Sequence, residues 1–179
     1  VDGFVPAKFN GTTQFLESSL AVEQYVGTGQ WSGWVVVKPN TVTSNGTPAH
    51  NNHAILGTKS SARLTVYLRD NSGPKVGLAF FTSAGDVVVE TPVNTAVYSF
   101  VRFGKNSTHI FIQVAGGAMA TAPALASSIG TGFTLNMGGN TSYNVFSDAD
   151  VLEVALTNQL LSAATIDEVM AFDTARYGL

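Results

Sequence analysis

A chain of 179 residues with nine Lys and Arg, twelve Asp and Glu and a formal net charge of −3 lacks the basic surplus of a nucleic-acid binder. Charged residues make up only 12%, against about 25% in an average domain, and Gly, Thr, Ser and Asn take their place. There is no cysteine, no apolar stretch of membrane-spanning length and no signal-peptide pattern at the amino end. The length predicts one domain over 1–179 that buries roughly 70% of its unfolded surface without needing disulfides. With no linker or low-complexity tail, the chain is expected to be a complete small protein that has lost its initiator Met.

In chain order, short runs rich in β-branched and aromatic residues predict strands at Gln14–Leu20, Trp31–Lys38, His53–Gly57, Ala62–Arg69 and Lys75–Phe81. Further strands are expected at Val87–Thr91, Val97–Phe103, Thr108–Val114, Phe133–Met137 and Val151–Thr157. Leu64, Val66 and Leu68 alternate with Thr65, Tyr67 and Arg69, and Ile110, Ile112 and Val114 alternate with His109, Phe111 and Gln113. Both patterns predict one buried face per strand. Asn45-Gly46, Asn71–Pro74, Ser83–Asp86 and Gly104–Asn106 supply turn chemistry between runs. Ala115–Gly132 is too rich in Ala and Gly to pack as a strand throughout and reads as a loop. Helical periodicity enters only at the end, where Ser162 is the expected N-cap, Ile166, Val169 and Met170 form an apolar stripe, and Gly178 lies past the C-terminus.

Several segments carry a resemblance. Phe9-Asn-Gly-Thr-Thr-Gln-Phe-Leu16, Trp31-Ser-Gly-Trp-Val-Val-Val-Lys-Pro39, Val97–Gly117, Leu135-Asn-Met-Gly-Gly-Asn140 and the closing strand, Leu160-Leu-Ser162, helix and Arg176-Tyr-Gly-Leu179 occur in that order. Together they resemble the concanavalin A-like lectin/glucanase (laminin G-like) jelly-roll family. Val36 stands where relatives usually place Trp, and Ala115 where they often have Asn. The resemblance implies an all-β, two-sheet antiparallel sandwich with one short C-terminal helix, a scaffold mostly of recognition and only sometimes of catalysis. A fold of this kind hosts many functions, so the site must be argued from residues.

The resemblance also supplies the sharpest enzymatic lead, Asp148-Ala-Asp150-Val-Leu-Glu153. Glycoside hydrolases on this scaffold carry Glu-x-Asp-x-x-Glu, with the outer pair about 5–5.5 Å apart for a retaining mechanism. Here Asp148 is one methylene short, and in a regular strand Glu153 would point away from Asp148 and Asp150 unless a bulge realigned it. An exposed acidic strand start is the favoured reading. His50 and His53, at i and i+3 in a polar loop, lack a nearby carboxylate, and the loop aspartates Asp70, Asp86, Asp148 and Asp150 are too few for calcium. No metal and no cofactor is expected.

Flat aromatic faces and amides are the remaining lead. Trp31 and Trp34 lie on opposite faces of one strand, so Trp31 is assigned to the core and Trp34 is either partly exposed or covered by a neighbouring element or subunit. The ligand-binding candidates are Trp34, Asn45, His50, Asn52, Asn140 and Tyr143. Asn10, Asn45, Asn106 and Asn140 match the N-glycosylation pattern but read as turn residues. The expected function is a non-enzymatic surface or interaction module, an accessory protein of a virus particle such as a bacteriophage decoration, tail or fibre-associated protein, with glycan adhesion as an added capacity. Its expected partners are other virion or surface proteins and glycans, without nucleic acid or membrane insertion, compatible with a homo-oligomer, at a virion surface or outside the cell. The alternatives are a secreted or cell-surface carbohydrate-binding module and, behind it, a glycoside hydrolase using Asp148 and Glu153.

Overall fold

The computed structural model describes residues 5–24, 26, 29–42, 53–58, 64–70, 72–82, 85–124, 132–140 and 145–179, the side chains of Leu20, Asn140 and Val145 excepted. The strands are β1 (Ala7–Asn10), β2 (Leu16–Ala21), β3 (Trp31–Thr41), β4 (His53–Thr58), β5 (Leu64–Asp70), β6 (Pro74–Thr82) and β7 (Gly85–Pro92). They continue with β8 (Ser99–Lys105), β9 (His109–Val114), β10 (Ala120–Pro123), β11 (Thr134–Met137), β12 (Gly139–Asn140), β13 (Val145–Phe146) and β14 (Asp148–Thr157), followed by helix α1 (Ala163–Tyr177). One antiparallel sheet runs β1-β14-β3-β8-β9-β10 and the other β2-β11-β4-β5-β6-β7; β12 and β13 form a small ribbon. The architecture is the two-sheet jelly-roll sandwich with a C-terminal helix that the resemblance implies.

Strand alternation builds the core between the sheets. The first sheet contributes Trp31, Val35, Val37, Val101, Phe103, Ile110, Ile112, Ala149 and Val151, and the second Leu56, Leu64, Val66, Leu68, Val76, Leu78 and Phe80. Trp31 is fully buried, stacked on Phe80 of the facing sheet and edge-on to Phe103 of its own. The prediction of one buried face per strand fails for β5, where Thr65 and Tyr67 are buried as well as Leu64, Val66 and Leu68. Gly77 on neighbouring β6 is the reason: without a Cβ it leaves the space that the Tyr67 ring fills. Phe111 of β9 is buried for a similar reason, its ring lying against Gly104.

Besides the two-residue β12 and β13, strands β1 and β10 were not legible in the sequence. β1 has only four residues, and β10 falls inside the stretch read as a loop. Both are formed by pairing rather than by propensity, β1 against Asp148–Val151 of β14 and β10 against His109–Ile112 of β9. β10 is an edge strand, where Pro123 can sit without breaking a ladder. The turn readings of Asn10 and Asn106 hold. Asn10 Oδ1 accepts from the backbone of Thr12, Thr13 and Gln14, and Asn106 Oδ1 from Thr108 and His109.

Helix α1 begins and ends where its caps predict. Ser162 has extended backbone and its Oγ accepts from Thr165 N–H at 3.1 Å, while Gly178 adopts a left-handed φ of 69° and its N–H closes on Thr174 O. The helix lies on the outer face of the first sheet, with Ile166 buried against Val36 and Phe100 and with Val169 and Met170 half-buried beside it. Ser162→Ala is expected to lower stability by about 1 kcal/mol, the usual worth of an N-cap. Urea unfolding measures the loss, and faster amide exchange confined to the first turn of α1 would localise it.

Candidate functional site

The acidic run opens β14 on the outer face of the first sheet. Ala149 and Val151 point into the core, so Asp148 and Asp150 point out. The register between β14 and β3 then slips between Val151 and Glu153. That bulge brings Leu152 and Glu153 to the same outer face: Leu152 joins the Val36–Phe100–Ile166 cluster, and Glu153 accepts from Trp34 Nε1 at 2.9 Å and Tyr177 Oη at 2.8 Å. The realignment that a regular strand forbids is therefore present. It does not yield an open cleft at Glu153, because α1 lies over it and both carboxylate oxygens are occupied, with Arg176 Nη1 a further 3.6 Å from Oε2. Burial and the bond to Glu153 push the Tyr177 hydroxyl up to about 12, so it stays a donor at any physiological pH. Asp150 is engaged separately, by Asn40 Nδ2 at 3.1 Å and Tyr98 Oη at 3.5 Å.

Trp34 sits in this assembly as a half-buried side chain packed toward α1. Both possibilities left by its strand position are met in part: a neighbouring element packs against the ring, which stays partly exposed. Asn45, His50, Asn52 and Tyr143 lie outside the described residues, and Asn140 is described only through its backbone in β12, paired with Val145. His53, the second imidazole of the histidine pair, places Nδ1 2.8 Å from Phe146 O. Asp70 accepts from Gly73 N–H and so shapes a turn. Among the described residues, no three His, Asp or Glu side chains gather as metal ligands.

Two features were not anticipated. On the outer face of the second sheet, Tyr67 Oη donates to Glu90 Oε1 at 2.6 Å, Arg69 Nη2 donates to Oε2 at 2.7 Å, and Arg69 Nε lies against Oε1. Burial, then Glu90, drives the Tyr67 hydroxyl far above its ordinary range. In the adjoining row, Asn136 and Thr65 flank Gly57, and the Asn136 amide and the Thr65 hydroxyl are buried without a hydrogen-bond partner among the described residues. That Arg69 and Tyr67 share one strand face is visible in sequence, but their meeting with Glu90 is not, because it spans three strands.

The second feature is a groove of about 460 Å³ at the edge of the sandwich formed by β2 and β14. Leu16, Leu56, Leu135, Met137, Val154 and Leu156 line it, with Leu16 more than half exposed. Its origin is topological: among the described residues β1 covers β14 only over Asp148–Val151, so the strip Val154–Leu156 faces the mouth of the sandwich.

The sheet orders and the helix position can be compared with solved structures. Domains LG4-5 of the mouse laminin α1 chain superpose with a TM-score of 0.60 at 16% identity, covering 88% of this chain and 42% of that one. The chain carries the concanavalin A-like, laminin G-type sandwich. The sandwich also matches the Trypanosoma rangeli sialidase in complex with 2,3-difluorosialic acid, with a TM-score of 0.61 at 15% identity over 90% of this chain and 26% of that one. A third match is full-length tailspike protein 2 of an Escherichia coli O157:H7 bacteriophage, with a TM-score of 0.58 at 11% identity over 89% and 25%. This chain thus spans less than half the length of each of these matched chains, and at such identities the likeness is one of fold alone. No family model matches the sequence, and no curated protein matches it.

Proposed function

We propose that this concanavalin A-like sandwich is a non-enzymatic recognition module, an accessory protein of a virus particle or another extracellular surface, working through protein contacts. The observation that carries the reading is the state of Glu153. A retaining glycosidase needs its two carboxyl groups facing one substrate-filled cleft, whereas this carboxylate is saturated by Trp34 and Tyr177 beneath a helix. The groove between β2 and β14 points the same way. Its lining is mostly aliphatic, with Glu17, Ser18 and Asn136 among it, which suits a leucine- or phenylalanine-type anchor of a protein partner with a polar rim. Similarity in fold to a laminin domain and a phage tailspike supports a surface role, and the sialidase keeps hydrolysis as the rival. Many copies on one particle would add avidity without tight single sites.

The carbohydrate-binding alternative is favoured by one feature, the Tyr67–Arg69–Glu90 network with Asn136 and Thr65 beside it, a concentration of polar groups on one sheet face. A panel of chromogenic glycosides and a glycan array, run on folded chain beside Glu153→Gln, separate the readings. No turnover and a blank array are expected. Turnover abolished in Glu153→Gln would overturn the proposal, and saturable binding to a defined glycan without turnover would move the assignment to the alternative.

A further inference from the structure

Helix α1 is held to the first sheet at two points of different chemistry. Near its start the contact is apolar: Ile166 is buried against Val36 and Phe100, and just before it Leu161 N–H donates to Ser32 Oγ at 2.9 Å. In its last turns the contact is polar. Tyr177 and Arg176 close on Glu153 of β14, and Asp173, only 1% exposed, lies in the same interface with Oδ2 buried and, among the described residues, unpartnered. Phe172, the one large aromatic between them, is 62% exposed and contributes little to docking. A 15-residue helix is marginal in isolation, so α1 depends on this docking to remain helical.

Two carboxylates enclosed in one contact repel each other and lose hydration, costs that vanish when one takes a proton. We propose that α1 is a pH-set cover over the Trp34–Val36–Phe100 strip, held shut when Asp173 is protonated and loosened when Asp173 and Glu153 both carry charge. Among the described residues, the groups that act on Asp173 are Glu153 from β14, which the neutral Trp34 indole of β3 also bonds, and Arg176 and Tyr177 from α1 itself. From β8, Arg102 lies toward the other end of the helix, in the crevice it shares with Asp167, and is bonded to Gln113. Among the described residues, Arg176 is the one cation that offsets the pair, and its guanidinium is more than a third exposed and therefore screened.

Burial, reinforced by the Glu153 charge and opposed by Arg176, raises the Asp173 carboxyl from its ordinary 3.8 to about 6. The closed state thus binds the proton more tightly than the open one. Closure is strongest below the ordinary value and weakens as pH rises through the raised one. With the open state titrating normally, the opening constant rises about tenfold between about pH 5 and about pH 7.5.

Amide hydrogen exchange across Ala163–Tyr177, corrected for intrinsic rates and read against core strands β5 and β8, tests the cover at those two pH values. The wild-type chain should show the tenfold rise in the helix and none in the strands. In Asp173→Asn the rise should disappear, and in Glu153→Gln it should shrink, because the like charge that helps raise Asp173 is gone. An equal rise in Asp173→Asn, or a wild-type helix whose opening ignores pH, would overturn the proposal. Should Asp173→Asn fail to fold, Glu153→Gln decides it: an undiminished rise in that variant counts against the carboxylate pair.

Discussion

Trp31→Ala is expected to destabilise the chain by about 3–5 kcal/mol, a large part of the 5–15 kcal/mol available to a typical domain. Trp31 is fully buried and belongs to the first sheet, but its ring stacks on Phe80 of the second, with centroids 6.0 Å apart and planes 19° apart. Its other edge meets Phe103 at 6.2 Å and 69°. Truncation removes the largest fully buried side chain from the contact between the sheets, and neither ring can follow it because both are fixed in paired strands. Trp31→Phe should cost distinctly less. It keeps an aromatic in the stack and discards an indole N–H that is buried without an acceptor among the described residues. Urea unfolding followed by circular dichroism measures both, with the midpoint falling and the slope unchanged. A loss below about 1 kcal/mol in Trp31→Ala would mean that the sheets are not held together here.

Gly138→Ala should be nearly as damaging although it adds one methyl group. Gly138 joins β11 to β12 with a left-handed φ of 86°, its N–H donating to Ile55 O at 2.7 Å and its carbonyl accepting from Ser147 at 2.9 Å. A Cβ there would enter the ring of Phe9. Left-handed strain costs about 1–2 kcal/mol and overpacking about 1–3 kcal/mol, so a total of about 2–5 kcal/mol is expected. Gly116 provides the control. It has a similar φ of 75° but open space around its would-be Cβ, so Gly116→Ala should carry the strain alone. Equal losses at both positions in urea unfolding would show that the contact with Phe9 does not matter.

Both predictions concern segments whose resemblance to the jelly-roll family was legible, and the structure supplies the physical reason for that resemblance. Phe9 from the opening segment packs on Gly138 from the Leu135–Asn140 segment, and Gly11 admits the side chain of Asp148 from the closing strand. Pieces far apart in sequence are thus parts of one contact. The candidate site was less legible. Glu153 stands out in sequence only as part of an acidic strand start, since its partners Trp34 and Tyr177 come from β3 and α1. Asp173 drew no attention, because a carboxylate in a helix normally faces water and nothing local marks this one as buried.

The sequence by itself determined what depends on local chemistry. Period-two alternation, turn residues and helix caps are properties of a few neighbouring residues, so most strands and helix α1 could be read directly, and the family resemblance supplied the sandwich. Only the tertiary structure decided what depends on pairing across the fold. The bulge between Val151 and Glu153 exists relative to β3, the strand at Ala120–Pro123 exists because β9 offers it a ladder, and the fate of Trp34 was settled by a helix more than a hundred residues downstream. Register and cover are set by free energy summed over distant partners, and no window along the chain contains that sum.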